Sequence, residues 1–375
     1  MMRVRTVFLS VSVVVVLLFA GALAASRSSR DGLFRALGNL AEVVHLVETE
    51  YVDNLNQEAL SLSLDAGLVE SQDPWAAVLP ADRIDDYLEF VESPPPFGLV
   101  LVSRLGSAAV RYVLSGSPAE EAGLQPWEVI ERVEGVISRG RPLWQIRLEL
   151  KEREKASEPV TLTVFDREIE ERRQVVLSPS DWSPQAATSE IREGATVILV
   201  KALPEGAAEK IAAMVPQNGG VILDLRHLEW GREDEAIALA DAFADEGILG
   251  TWKGRRAGAR TYEASEQMVD ALPPLVLVGP ETEGVGEVLA VALRRAGAVL
   301  VGQKTVGHAP HMSLVRDTDF ALWLPVGLWM RLDGEPINGN GVEPTEVVEV
   351  SADESGDPVL DKALELLPGE LKKAA

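Results

Sequence analysis

Apolar residues recur at helical spacing near the start of the chain. Leu33, Leu37, Leu40, Val44 and Val47 fall on one stripe, which predicts a helix over residues 33–50. Gln57–Val69 and Asp82–Val91 read as two further helices, so residues 31–93 form an N-terminal helical region. Pro94-Pro95-Pro96 closes it, because three prolines cannot continue a helix.

The pattern then shortens to strand length. Gly98–Val102, Ala109–Leu114, Glu128–Val133 and Val160–Phe165 read as strands, with a helix at Leu143–Lys151. Between them Gly116-Ser117-Pro118-Ala119-Glu120-Glu121-Ala122-Gly123-Leu124 predicts a turn and one short helix closed by Gly123. Residues 96–178 are thus a β-rich unit. The nine-residue segment resembles the G-S-P-A-x-x-A-G-L hallmark of PDZ domains. The P-G-D that usually follows is here Pro126-Trp127-Glu128. That resemblance implies capture of an extended peptide C-terminus as an added strand, its carboxylate on backbone N–H groups. The loop it implies is Phe97-Gly98-Leu99-Val100.

From about residue 180 to 350 strands and helices alternate. Val197–Val200, Gly220–Leu225, Leu275–Val278 and Ala298–Val301 read as buried strands. Ala207–Met214, Glu233–Ala244 and Glu287–Arg295 read as helices, and Ala321–Leu332 as further strands. Alternation of this kind predicts an α/β core with a covered sheet. Ser351–Gly356 is a polar linker before a last helix over residues 357–375. The fold class is α/β, an α+β multidomain chain.

Composition narrows the function classes. The 375 residues carry a formal net charge of −24, which repels nucleic acid and anionic lipid and argues against both as partners. The chain has no cysteine, so disulfides, thiol catalysis and thiolate metal sites are excluded. Val7–Ala25 carries no charge, follows Arg3 and Arg5, and contains Ala22-Leu23-Ala24. Basic flank, apolar run and small-residue end predict a secretory signal over residues 1–25, or an uncleaved membrane anchor. The bulk of the chain is then expected outside the cytoplasm, periplasmic or extracellular.

The chemistry is expected at Leu275–Leu293 and Val301–His311. A strand, a Gly-containing turn and a helix put free N–H groups and turn side chains at the mouth of a sheet. These stretches resemble the C-terminal processing peptidases (tail-specific proteases), serine peptidases whose turn reads N-x-G-S-A-S-A-S-E-I and whose second loop reads G-E-K-T-F-G-K-G. Glu287, Gly302, Thr305 and Gly307 match. Leu223-Asp224-Leu225-Arg226 matches the family's L-D-L-R, and residues 337–347 and 357–367 look like its last segments. Tyr51-Val52-Asp53 and Asp73-Pro74 match its N-terminal motifs.

The resemblance implies a serine nucleophile and a lysine base, and the matching positions here hold Gly284 and His308. A glutamine of the second loop is Met312, and the first oxyanion-loop glycine is Trp230. No catalytic residue is therefore assigned. The expected function is a non-catalytic homologue that binds peptide or protein C-termini, with no cofactor. Two alternatives remain: an active peptidase using displaced residues such as Thr282 with His308, and a carrier of a small apolar ligand. Glu281 and Glu283 make the turn acidic, which opposes an oxyanion there. His308 and His311 share a proline-containing loop without ordered carboxylate spacing, so no metal is expected. Trp323 and Trp329 are expected in sheet packing or along a groove.

Overall fold

The computed structural model describes residues 35, 38–52, 57–217, 219–265, 273–350 and 356–374. The expected signal or anchor at 1–25 lies outside them, as do Leu33, Leu37, Asp53 and most of the 351–356 linker. Among the described residues no helix is long and apolar enough to cross a membrane.

The chain divides into two units, Met1–Ser61 and Leu62–Ala375. In the first, residues 38–50 are helical; Val44 and Val47 are half-buried while Leu40, Val43 and Leu46 are exposed.

The core of the second unit is a six-stranded sheet. Its order is Glu346–Val347, Val299–Gly302, Leu275–Val278, Val221–Asp224, Ala195–Val200 and Ala187–Arg192. The first five strands run parallel and the last is antiparallel. Strand periodicity covers both faces. Val276 and Val278 pack with the helices Glu233–Asp241 and Val285–Arg295, whereas Leu275 and Leu277 pack under the terminal helix Pro358–Ala374 through Val359 and Ala363.

The β-rich part forms a separate sheet ordered Leu99–Arg104, Ser107–Val113, Val129–Val133, Val160–Asp166 and Glu171–Leu177, with Val136–Ile137 beside the third. Its own core contains Phe97, Leu99, Ile130, Ile146, Leu150 and Leu162. Leu99–Arg104 is an edge strand. The turn helix Pro118–Glu121 is capped by the Ser117 hydroxyl, which accepts the Glu120 N–H.

A third sheet has no full counterpart in the hydrophobic pattern. It joins Ala77–Pro80, Phe320–Trp329, Ile248–Gly254, Gly258–Glu263 and Pro310–Arg316, all antiparallel. Only Phe320–Trp329 was expected. The others alternate weakly because their outer faces meet solvent or a cleft rather than a helix. A fourth cluster ties this sheet to the β-rich part: Leu79, Tyr87 and Ala321 pack on Trp144 and Leu148 of the helix Leu143–Lys155.

Candidate functional site

The turn between Leu275–Val278 and Val285–Arg295 places Gly284 at the mouth of the main sheet. Gly284 adopts φ 58°, a left-handed value that glycine takes freely, and caps the helix that follows. Its N–H donates to the carbonyl of His308 at 3.0 Å, which joins the two loops predicted to share a site. The second loop is fixed from below by Glu287. This buried carboxylate accepts the Thr305 hydroxyl and the N–H groups of Gly307 and His308, the latter two at 2.8 Å. Burial raises its pKa, and those hydrogen bonds oppose the shift without reversing it.

His308 is held between two carboxylates. Its Nε2 lies 3.4 Å from Asp73 and its Nδ1 3.2 Å from Glu283. The hydrogen bonds to Asp73 and Glu283 outweigh burial and raise the imidazole pKa to about 9, so the ring is a cation at neutral pH. Burial pushes the Glu283 carboxyl up. His308, the Arg111 guanidinium and the Tyr112 hydroxyl outweigh it and hold the group at about 2. Arg111 donates through Nε at 3.0 Å and through a second ion-pair contact, and the Tyr112 hydroxyl donates at 2.8 Å. Burial first, then the Glu283 charge, drives the Tyr112 phenol above its ordinary range, so it stays a donor. Glu283 therefore does not leave the turn negative, as its sequence position suggested. Its charge is matched by two cations.

Thr282 points away from this cluster. It is fully buried, its Oγ accepts the Gly279 N–H at 3.1 Å, and it donates to the Leu225 carbonyl at 3.4 Å. Lys304 is exposed and pairs with Glu343 at 2.8 Å. Among the described residues the side-chain partners of His308 are carboxylates; no hydroxyl or amine is among them. His311 also diverges from His308. Its Nδ1 lies 2.6 Å from Glu233, its ring stacks on Trp252 at 4.3 Å, and Glu233 accepts the indole N–H of Trp329 at 2.9 Å.

A cavity of about 240 Å3 opens in front of Gly284, walled mainly by Leu228, Trp230, Val285, Val288 and Met312. Trp230 fills the expected oxyanion-loop position and pairs in a short parallel ladder with Ala202. Glu229 stands at the rim. Burial raises its carboxyl to about 7.

The loop 97–100 differs from its expectation. Phe97 and Leu99 are buried in the core of the β-rich sheet. Its amides are already engaged. The Phe97 N–H donates to Glu154 Oε1 at 2.6 Å, the Gly98 N–H to the Pro95 carbonyl at 2.9 Å, and the Leu99 N–H to Pro96. Of the four, Leu99 and Val100 line a cavity beside the strand, and Val100 also reaches the one at Gly284. The Leu101 carbonyl accepts from Arg147, and the Ser103 N–H faces the Pro74 carbonyl at 3.5 Å, so the strand edge is occupied too.

Sequence reasoning missed the partners that come from afar. Arg111 and Tyr112 lie 172 and 171 residues from Glu283, and nothing in their neighbourhood signals the pairing. Asp73 did carry a signal, since it sits in the Asp73-Pro74 motif, but its role needed the fold.

Comparison with known proteins bears on the family and the fold. The model of peptidase family S41 matches residues 200–348. A probable CtpA-like serine protease of Staphylococcus aureus (strain MRSA252) is 24% identical over 325 residues, covering 84% of this chain. The chain spans 65% of the length of that relative. A carboxy-terminal-processing protease of Bartonella bacilliformis is 22% identical over 360 residues, covering 92% of this chain and 81% of the relative. Among solved structures, the photosystem II D1 C-terminal processing protease superposes with a TM-score of 0.60 at 19% identity, covering 86% of this chain and 89% of that one. That likeness concerns the fold.

Proposed function

Because the chain belongs to the C-terminal processing peptidases, we propose that it is a non-catalytic member that binds polypeptide C-termini outside the cytoplasm. The observation that carries this reading is the cluster at Gly284. Acyl transfer needs a nucleophile and an unprotonated base within reach of each other. The nucleophile position has no side chain, and the base position holds an imidazolium clamped by Asp73 and Glu283. The alternative with Thr282 as nucleophile has its hydroxyl buried and pointed at Leu225.

Binding needs less than catalysis. The cleft in front of Gly284 is retained, and so is the PDZ-like segment Gly116–Leu124 within 96–178. In that reading the loop 97–100 takes a carboxylate only when Glu154 yields its place on the Phe97 N–H. Export rests on the uncharged run behind Arg3 and Arg5.

The test is direct. Purified protein incubated with an unstructured protein substrate should leave it intact, while peptides with a free apolar C-terminus should bind and their amidated forms should not. Cleavage that survives purification and disappears in Thr282→Ala would overturn the first part. Equal binding of acid and amide would overturn the second. A C-terminal reporter active only in the cytoplasm would refute export.

A further inference from the structure

A second cavity, about 260 Å3, lies between the edge strand Leu99–Arg104 and the main cleft. Aromatic and apolar side chains wall it, among them Trp75, Tyr87, Phe90, Met312 and Trp323. One cation enters this wall. Arg147, from the helix Leu143–Lys155, is 6% exposed. It donates to the Tyr87 hydroxyl at 3.1 Å and to the Leu101 carbonyl at 2.7 Å, and its guanidinium lies over the rings of Trp75 and Phe90 at 5.5 and 5.8 Å.

All four of these partners are neutral, and among the described residues Arg147 forms no ion pair. Two other arginines of the second unit behave differently. Arg111 meets Glu283, and Arg226 meets Asp224 and Asp357. A buried charge without a counter-charge costs several kcal/mol, so its retention at the wall of a cavity points to a ligand that supplies the missing anion.

We infer that this cavity receives the apolar last residue of a polypeptide, its side chain against the aromatic wall and its terminal carboxylate on Arg147. The inference rests on the reading of the chain as a binder of C-termini and moves the carboxylate receptor away from the loop 97–100. Two observations favour this placement. The loop's amides are engaged by Glu154, Pro95 and Pro96, and the strand edge by Arg147 and Pro74, so strand addition must first break native hydrogen bonds. End-on insertion breaks none of them. The cavity is also small for a ligand pocket and suits one residue rather than an extended strand. It shares Trp75, Val100, Trp230, Gly231 and Met312 with the cavity at Gly284, so the preceding residues of the peptide would leave along that cleft.

Calorimetric titration of the full chain with an N-acetylated tetrapeptide ending in leucine tests the assignment. The acid should bind, and its amide should bind about tenfold more weakly or not at all. Arg147→Gln should cost about tenfold, and Met312→Trp, which fills the cavity and leaves Arg147 intact, should cost as much even if Arg147→Gln fails to fold. Glu154→Gln should leave affinity within about twofold. Tighter acid binding in Glu154→Gln, with Arg147→Gln and Met312→Trp harmless, would return the carboxylate to the loop and overturn this inference alone. Hexanoate binding as tightly as the peptide would assign the cavity to free acids and overturn its polypeptide part. If neither acid nor amide binds any form of the protein, the broader reading fails as well.

Discussion

The Nδ1 atom of His308 lies 3.2 Å from a carboxylate oxygen of Glu283, the residue immediately before Gly284. The group in the general-base position is thus ion-paired to the turn that would carry the nucleophile. A second carboxylate, Asp73, holds the far side of the ring. Arg111 and Tyr112 extend the network into the β-rich sheet. The network ties three parts of the fold together.

Restoring the nucleophile alone should not restore hydrolysis. A serine at Gly284 has room, because the nearest atom to its Cβ would be the His308 carbonyl oxygen at 3.9 Å, but the φ 58°, ψ −118° backbone strains any side chain there by about 1–3 kcal/mol. Gly284→Ser should show no labelling by a fluorophosphonate probe at pH 7, since His308 is protonated. Labelling should emerge only as pH nears 9, and adding Glu283→Gln should move its onset lower. Labelling of the single variant at pH 7 would contradict the imidazolium assignment.

Stability should follow the same pair. His308 has a raised pKa, so its contribution is complete below about 6.5, the ordinary histidine value, and is lost as pH climbs through about 9. Glu283 has a lowered one, so its contribution is present above about 4.5 and lost as pH falls toward 2. Urea midpoints should therefore be highest between these limits and decline toward pH 9.5. His308→Gln should flatten the alkaline limb, and an unchanged limb would count against the clamp.

The contact of Arg111 with Glu283 should couple the β-rich sheet to the main core. Both side chains are nearly buried, so removing one partner strands the other. Arg111→Met or Glu283→Gln should each cost about 3 kcal/mol by urea denaturation, and a double-mutant cycle should return a coupling of about 1–3 kcal/mol. Additive losses would show that the two residues act independently.

Glu229 should behave in the opposite sense to a paired acid. Burial raises its pKa to about 7, so the folded state is penalised as pH rises past the unfolded value near 4.5 and the carboxyl must ionise. Glu229→Gln should raise the melting temperature at pH 8 and leave it unchanged at pH 4. An equal gain at both values would assign the effect to packing instead.

Gly302 tests the main sheet beside the site. It has φ 132°, and a Cβ there would run into the Val278 carbonyl of the neighbouring strand. Gly302→Ala should cost about 3 kcal/mol or more, read from thermal or urea unfolding, because neither backbone can move without breaking the sheet.

Much of the architecture was legible along the chain. Leu275–Val278 and the stretch Val221, Ile222 and Leu223 are continuous apolar runs because both faces of their sheet are covered, and the buried Asp224 that ends the second strand is paired with Arg226. Leu143–Lys155 and Val285–Arg295 likewise announced themselves by their apolar faces, the second only two residues earlier than expected. The antiparallel strands Pro310–Arg316 and Gly258–Glu263 did not, since half-solvated strands with bulges carry little contrast.

At the site, local order alone determined that Gly284 offers no side chain and that His308 stands in place of a lysine, because these are facts of residue identity. Only the tertiary structure decided what those positions became. Whether His308 is base or cation depends on Asp73, 235 residues away, and on a Glu283 steadied by Arg111. Whether the loop 97–100 can cradle a carboxylate depends on Glu154 on a helix 57 residues later. Protonation and hydrogen-bond occupancy are set by which groups meet within a few ångströms. In a folded chain that is a property of packing, which spacing along the sequence does not encode.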